Sequence, residues 1–150
     1  MPDFSRCRFT EGSVALPEGY RDRTVNVLLA GDDASPSLNI SRDALQENEL
    51  LADYVTRQLD TLSTGLKGWV LKSREPVALG QDALPGECVL ASYLRDGRRI
   101  WQRQAVFALQ GGHVLVFTLA MTRKLSPEDE ALLTQVLESY QPAADVTTQP

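Results

Sequence analysis

The chain has 150 residues, of which 43% are hydrophobic and 23% are charged, and its formal net charge is −5. This length and composition are typical of one soluble globular domain with a single core. Because no stripe of basic residues offsets the acidic charge, the composition argues against nucleic acid and anionic membrane surfaces as partners.

The N-terminus has no apolar signal-peptide segment, and no run approaches the ~18 apolar residues of a membrane span. We therefore expect a cytoplasmic protein that does not itself insert into a membrane. The two cysteines, Cys7 and Cys88, fit neither a metal-binding spacing nor a CxxC motif, so we expect both to be buried thiols.

The first half of the chain predicts four short strands and a helix. Turns rich in Gly, Pro and Asp separate the strands. We place these strands at residues 4–9, 13–16, 24–29 and 38–41. In the fourth strand, Leu38 and Ile40 share one side. From Asn48 to about Ser63, apolar residues recur every three or four positions, which predicts a helix closed by Gly65.

The second half predicts four more strands and a second helix. We place these strands at residues 69–77, 88–95, 98–109 and 114–121. The Asp96-Gly97 pair predicts a tight hairpin turn. Ser126 as N-cap and Pro127 at the first position predict the start of a helix that ends before Pro142.

The last predicted strand, residues 114–121, is apolar at nearly every position. A strand with one face in water should alternate apolar and polar residues, so both faces of this strand need cover. The chain's own helices can cover one face. The other face needs more of this chain, a second copy, or an apolar partner.

The order of elements predicts an α+β fold, a twisted antiparallel β-sheet with two main flanking helices. We expect residues 1–142 to form a single domain and residues 143–150 to form a disordered tail.

Motifs for catalysis and metal binding are missing from the sequence. The single histidine, His113, follows a Gly-Gly turn, where a solvated loop residue is expected. The chain contains no GxSxG, GxGxxG, P-loop or HExxH motif. The acidic groups at 32–33 and 128–130 fit loop solvation and helix N-terminal charge. We therefore expect no enzymatic activity, no metal and no cofactor.

Three glutamines occupy positions where the pattern favours apolar residues. Gln58 lies beside the apolar stripe of the first helix, and Gln102 and Gln104 share a strand face with Ile100 and Val106. An amide is costly to bury without a partner. Either these side chains lie at the surface or bond within the fold, or they line a groove and hydrogen-bond a bound apolar helix.

Val25, Val27 and Leu29 share one face of the third predicted strand and leave a similar choice open. They face the chain's own core, or they lie on the sheet face away from the helices. In the second case they would form an exposed apolar patch, which on a soluble protein marks a binding site.

Four segments of the chain resemble the Eag chaperones, which serve effectors of the bacterial type VI secretion system. The segments are LPEGYRDRTVNV at 16–27, ISRD at 40–43, ADYVTRQL at 52–59 and RQAVF at 103–107. The second and third segments are the most specific, and the resemblance covers residues 9 to 142.

The resemblance implies a fold similar to DcrB, PsbP and Mog1 domains, assembled as a cradle-shaped homodimer. It implies that the client is the N-terminal hydrophobic region of an effector whose PAAR domain follows a prePAAR segment. The chaperone would shield the client's transmembrane helices until the effector is loaded on the VgrG spike. Val25 and Val27 match β-branched apolar residues of the family's binding face, and Gln58 matches its helix glutamine. Either Gln102 or Gln104 matches a second polar position.

Eight residues are thus expected to contact the client. They are Val25, Val27, Leu29, Leu38, Ile40, Gln58, Gln102 and Gln104. The main alternative is a binding module of the same fold that serves a folded protein. A dimer whose second face is covered only by its own copy, or an enzyme, are the remaining alternatives.

Overall fold

A computed structural model describes residues 5–143 as an antiparallel β-sheet with two helices packed on it, which confirms the predicted α+β fold class. The elements in chain order are β1 (Arg6–Phe9), β2 (Gly12–Ala15), β3 (Asn26–Leu28), β4 (Ser37–Ala44), α1 (Leu51–Gly65), β5 (Val70–Leu79), β6 (Leu84–Arg95), β7 (Arg98–Ala108), β8 (His113–Met121) and α2 (Pro127–Glu138).

Six strands form the main sheet in the order β3-β4-β8-β7-β6-β5, while β1 and β2 form a separate hairpin. All neighbouring strands are antiparallel, as predicted, and β6, β7 and β8 form a meander. Asp96 and Gly97 have φ values of 52° and 78°, which is the tight turn that an Asp-Gly pair predicts. The apolar β8 is an interior strand between β4 and β7, with a helix on each side of the sheet.

One face of the sheet packs against α2 and is called here the α2 face. Its core includes Phe107 and Phe117, whose rings meet edge to face with centroids 6.0 Å apart, and Leu133 of α2. The helix begins as predicted. Ser126 Oγ accepts a hydrogen bond from the Asp129 N–H at 3.2 Å, and the Asp129 carboxylate accepts one from the Ser126 N–H at 2.8 Å.

The opposite face of the sheet packs against α1 and is called here the α1 face. Tyr54 and Val55 of α1 are buried against Val89, Val106 and Val114. This contact covers the start of β8. Within residues 5–143, no helix lies over the far end of β8 and the neighbouring strand ends on the α1 face, so the described part of the chain leaves about half of this face uncovered.

Several boundaries and burials differ from the sequence-based predictions. Asn48 has a left-handed φ of 61°, so α1 begins only at Leu51. Gly65 is the last residue of α1 and not the residue that follows it. Cys88 is buried as expected, but Cys7 is partly exposed, because β1 belongs to the separate hairpin and not to the sheet.

β6 begins at Leu84, four residues earlier than predicted. The prediction started too late because Pro85 and Gly86 normally indicate a turn. Gly86 pairs with Phe107, and a Cβ at that position would lie 2.4 Å from the Phe107 ring. Only glycine fits this close approach. The predicted disordered tail lies, apart from residue 143, outside the described residues.

Candidate functional site

The uncovered half of the α1 face forms a groove of about 870 Å³, called here the groove. Polar side chains from β4, β7 and β8 form most of its floor. They are Ser37, Asn39, Ser41, Gln102, Gln104 and Thr118. Apolar side chains lie at both sides, Val25 and Leu29 next to β3 and Tyr93 and Ile100 on β6 and β7. The groove therefore offers apolar contact at its sides and hydrogen-bonding groups beneath.

Strand register places one row of side chains across the floor of the groove. Val27 pairs with Asn39, Asn39 with Thr118, Thr118 with Gln104, and Gln104 with Val89. Directly paired residues in antiparallel strands point to the same face. The row therefore runs from an exposed valine on the edge strand, over three polar side chains, to the valine beneath α1.

The three glutamines predicted as site residues lie along this floor and beside it. Gln104 Nε2 donates a hydrogen bond to Thr118 Oγ1 at 3.1 Å. Gln102 is only 7% exposed, and within residues 5–143 its amide has no protein hydrogen-bond partner. Gln58 of α1 lines a smaller cavity of about 170 Å³ together with Gln104, so this cavity adjoins the groove. Of the two strand glutamines, Gln102 is thus the amide with more hydrogen-bonding capacity left for an occupant.

Asn39 is a polar residue of the floor that the sequence-based reasoning missed. Its Oδ1 atom is buried and has no hydrogen-bond partner among the described residues. A buried acceptor without a donor is costly in a folded protein, so such an atom needs an explanation. Asn39 lines the groove, so a rotation of its side chain would bring this oxygen within reach of an N–H or O–H group of an occupant.

The apolar residues around β3 are exposed and do not form part of the chain's own core. Val25 is 50% exposed, Val27 56% and Leu29 74%. The strand itself is shorter than predicted, but Val25 and Leu29 line the groove and Val27 faces the same side through its pairing with Asn39. These three residues therefore form an apolar patch of the kind that marks a binding surface.

Leu38 and Ile40, also predicted as site residues, lie on the opposite side of the sheet from the groove. Leu38 is 5% exposed and belongs to the core of the α2 face, where Ile40 packs beside it. The reason is register: Leu38 pairs with Leu28 and Ile40 with Asn26, so both share the side of β3 opposite Val27. The apolar residues Leu38 and Ile40 thus serve the core, while Ser37, Asn39 and Ser41 of the same strand line the groove.

Charged groups lie at two sides of the groove. Asp32 and Asp33 come from the loop between β3 and β4, and Arg95 and Arg98 flank the turn between β6 and β7. Asp32 accepts hydrogen bonds from the N–H groups of its own loop, and these bonds, with that of the Ser35 hydroxyl, lower its pKa. It is therefore a carboxylate at neutral pH.

Polar contacts fix α1, and with it Gln58, against β4. The Tyr54 hydroxyl donates to Asp43 Oδ2 at 2.7 Å. Burial raises the pKa of Tyr54, as does this hydrogen bond. Burial alone would raise the pKa of Asp43 as well, but the hydrogen bonds from Tyr54 and the Ala44 N–H lower it. The pair therefore stays as a phenol donating to a carboxylate.

An ion pair joins α1 to the segment before it. Arg57 Nε donates to Glu49 Oε2 at 2.8 Å, and the Arg57 guanidinium also lies 5.1 Å from the centre of the Tyr54 ring. The hydrogen bonds from Arg57 and from the Gln46 N–H lower the pKa of Glu49 to about 2. These contacts hold the first turns of α1 next to the groove.

Among residues 5–143, the side chains that could coordinate a metal do not gather in groups of three or more. The helices in this range are also too short or too polar to cross a membrane.

Comparisons with known proteins agree with this architecture. The DcrB family model matches residues 11–139. The protein named Effector EagT6 from Pseudomonas aeruginosa strain PAO1 is 31% identical over 140 residues, which cover 90% of this chain and 94% of that protein.

Two solved structures also align with the chain. A crystal structure of a P. aeruginosa protein of unknown function, described as a putative regulator, aligns with TM-score 0.71 and 25% identity over 96% of this chain and all of that one. The solution structure of cyanobacterial PsbP from Synechocystis sp. PCC 6803 aligns with TM-score 0.44 and 11% identity over 89% and 86% of the two chains. From the family match and the identity to EagT6, the chain belongs to the DcrB family and, within it, to the Eag proteins.

Proposed function

We propose that this protein is a cytoplasmic, non-enzymatic chaperone that binds the N-terminal transmembrane helices of a type VI secretion effector. The observation that carries the proposal is the groove, with the exposed Val25, Val27 and Leu29 at its edge and the amides of Gln102 and Gln104 in its floor. The kinship with EagT6, which is named as an effector protein, supports the type VI context.

The two kinds of groove lining suit the two needs of a transmembrane helix in water. Its apolar side chains must be covered, and burial of apolar surface stabilises by about 25 cal/mol per Å². Its small and polar residues need hydrogen-bond partners, which neighbouring helices supply in a membrane. Gln102, Asn39 and Ser41 would supply them here.

A homodimer follows from the size of such a client. A membrane-spanning helix has about 20 apolar residues and is about 30 Å long. One open groove covers one side of it, so a second copy is needed to enclose the rest. In this proposal the dimer holds the helices in the cytoplasm until the effector, through its PAAR domain, is loaded on the VgrG spike.

The proposal is tested by co-expressing the chain with the N-terminal hydrophobic region of the effector encoded beside it, followed by affinity purification from the soluble fraction. The test variant is Val25→Asp with Val27→Asp. Both side chains are about half exposed, so the free protein should fold. An unpaired carboxylate under an apolar helix is costly to desolvate. We expect retention of the client to fall at least about tenfold, which corresponds to about 1.4 kcal/mol.

Leu132→Asp is the matched control. Leu132 is 39% exposed and lies on α2, across the sheet from the groove. It should leave client retention unchanged. If the double variant keeps its circular dichroism spectrum and still retains the client, the groove is not the client site. If the hydrophobic region is equally insoluble with and without this chain, a binding module for a folded partner becomes the better reading.

A further inference from the structure

We propose that the α2 face carries a second binding site, for a short acidic peptide segment of a partner protein, built around Trp101. The site is a cleft of about 220 Å³, called here the Trp101 cleft. Its lining residues are Lys72, Leu90, Trp101, Lys124, Leu125 and Glu130. This second site goes beyond the proposed chaperone function and does not depend on it.

The unusual feature of the cleft is its pair of lysines. The chain has only three lysines in 150 residues, and two of them meet at one tryptophan. Lys72 Nζ lies 5.7 Å and Lys124 Nζ 5.6 Å from the centre of the Trp101 ring. Each ammonium group lies within cation–π distance of the ring, and together they form a local positive charge in an acidic protein, which an anion beside the ring would compensate.

The two lysines belong to separate segments of the backbone. Lys72 is the extra residue of a β-bulge in β5, between Leu71 and Ser73, and bulges are over-represented where a side chain must be aimed at a functional position. Lys124 comes from the segment between β8 and α2, close to Met121, which pairs with Trp101 in the sheet. The convergence is therefore built from separate parts of the fold.

The acidic residue in the cleft does not neutralise these lysines. Glu130 forms an ion pair with Arg103, whose guanidinium also contacts the Cys88 sulfur. Neither Lys72 nor Lys124 has an ion-pair partner among the described residues. The cleft thus keeps two uncompensated positive charges above an apolar base of Leu90, Leu125 and the Trp101 ring.

The size and charge of the cleft favour a peptide over other anions. A volume of about 220 Å³ is below the ~300–1,000 Å³ of pockets that enclose drug-sized ligands. Nucleic acid binding typically needs about 6–10 phosphate contacts, and two lysines in a chain of net charge −5 do not supply them. One apolar side chain flanked by Asp or Glu would fill the base and pair both ammonium groups.

The Trp101 cleft and the groove lie on opposite faces of the sheet. Trp101 and Gln102 are neighbours in β7, so their side chains point to opposite sides. An acidic segment in the cleft would therefore leave the groove free, and both sites can be occupied together.

The test uses the full chain with Trp69→Phe, which leaves Trp101 as its single tryptophan. The probe is the peptide acetyl-Asp-Glu-Leu-Glu-Asp-amide, and its uncharged counterpart acetyl-Asn-Gln-Leu-Gln-Asn-amide is the control. Trp101 fluorescence is titrated with each peptide at about 20 mM and about 500 mM NaCl, because salt screens exposed charges. We expect saturable binding of the acidic peptide only, weakened by salt.

The variants are Lys72→Gln with Lys124→Gln, and Lys67→Gln as the control for the loss of a lysine. Loss of the two exposed ion pairs that Lys72 and Lys124 would form with the peptide should lower the affinity about tenfold. We expect that loss in the double variant and less than about a twofold change in Lys67→Gln. Circular dichroism checks that each variant folds.

Three results would overturn the proposal. They are no saturable response to the acidic peptide, equal binding of the uncharged peptide, and an equal loss on replacing Lys67. In those cases the lysines only pack their aliphatic stems on Trp101. Light scattering on the same samples decides a fourth case: if the fluorescence change follows a change of oligomeric state, the cleft contacts a second copy and the proposal fails.

Discussion

At the residue scale, Asn39 carries an unpartnered polar atom beside the groove that we propose as the client site. Its buried Oδ1 atom has no donor among residues 5–143, while Thr118 beside it accepts from Gln104. Such an atom lowers the stability of the free protein, because its hydration is lost and nothing replaces it. We infer that the lost stability is recovered when the groove is occupied.

Replacing Asn39 should therefore raise the stability of the free protein and weaken its binding to a client. We expect Asn39→Leu to raise the free energy of unfolding by about 1 kcal/mol, since an unpaired buried acceptor is removed. The same variant should weaken binding of a client helix that carries hydroxyl or amide groups. Urea denaturation and co-purification measure the two effects.

Thr118→Val provides the contrast to Asn39→Leu at the next position of the same row. It removes a hydroxyl that accepts a hydrogen bond at 3.1 Å, so it should lower the free energy of unfolding by about 1 kcal/mol. If Asn39→Leu is also destabilising, Oδ1 is satisfied in the free protein and this inference is wrong.

The sequence predicts on which face of the sheet a proposed site residue lies only where the alternation of side chains along a single strand decides it. Gln102 and Gln104 share their face with Ile100 and Val106 because alternate residues of a strand always do. Leu38 and Ile40 could not be placed, since their face depends on the register between β3 and β4, and a shift of one residue reverses it. The position of Asn39 in the groove floor could not be predicted either, because its face depends on the same register.

At the element scale, the position of α1 depends on the ion pair and hydrogen bonds at its start. Arg57 pairs with Glu49 and Tyr54 donates to Asp43, so one helix is tied both to the segment before it and to β4. Gln58 follows Arg57 directly. A loosened α1 would therefore move a site residue as well as expose the core of the α1 face.

These contacts predict acid sensitivity of α1. The pKa of Glu49 is lowered from 4.5 to about 2 in the folded state. A depressed carboxyl pKa stabilises the fold above the unfolded value, and this contribution is lost as pH falls from about 4.5 through about 2. We expect the urea midpoint of the wild type to fall more than that of Glu49→Gln over this range.

The comparison requires urea titrations of both proteins at pH 7, 4 and 2. The difference between them should be largest at pH 7, should shrink as pH falls below about 4.5, and should be mostly lost by pH 2, the folded-state pKa at which Glu49 is half protonated. A difference that is independent of pH would mean that the Arg57 contact does not depend on the charge of Glu49.

Elements with strong local signals were predictable from the sequence, and elements fixed by distant contacts were not. The start of α2 follows from the cap formed by Ser126 and Asp129, and the β6–β7 turn follows from Asp96-Gly97. The early start of β6 was missed because Gly86 reads as a turn residue. Its reason for being glycine is the Phe107 ring on the next strand, which the local sequence does not reveal.

At the scale of the whole molecule, the N-terminal hairpin stands apart from the six-stranded sheet. Within residues 5–143, β1 and β2 form strand pairs only with each other, and Phe9 and Val14 are 49% and 51% exposed. We expect these side chains to be covered in the proposed homodimer. Light scattering should give about twice the chain mass of 16.5 kDa.

Phe9→Ser with Val14→Ser should weaken the dimer at least about tenfold, because burial of each such side chain contributes about 1.5–3 kcal/mol. Leu132→Ser, on α2 and outside the hairpin, is the control and should leave the dimer intact. A wild-type protein that stays at the mass of one chain at all concentrations would contradict the homodimer.

The two faces of the sheet have different roles, and this difference has a consequence for the evolution of such proteins. The apolar residues at the edge of the groove, Val25, Val27 and Leu29, lie outside the packed core, so most changes to them cost little in folding. Natural selection on those positions then acts mainly through the molecule that occupies the groove. Gene copies that acquire different occupants would diverge fastest at this edge, while the hydrogen-bonded Gln104 and Thr118 and the core residues change slowly.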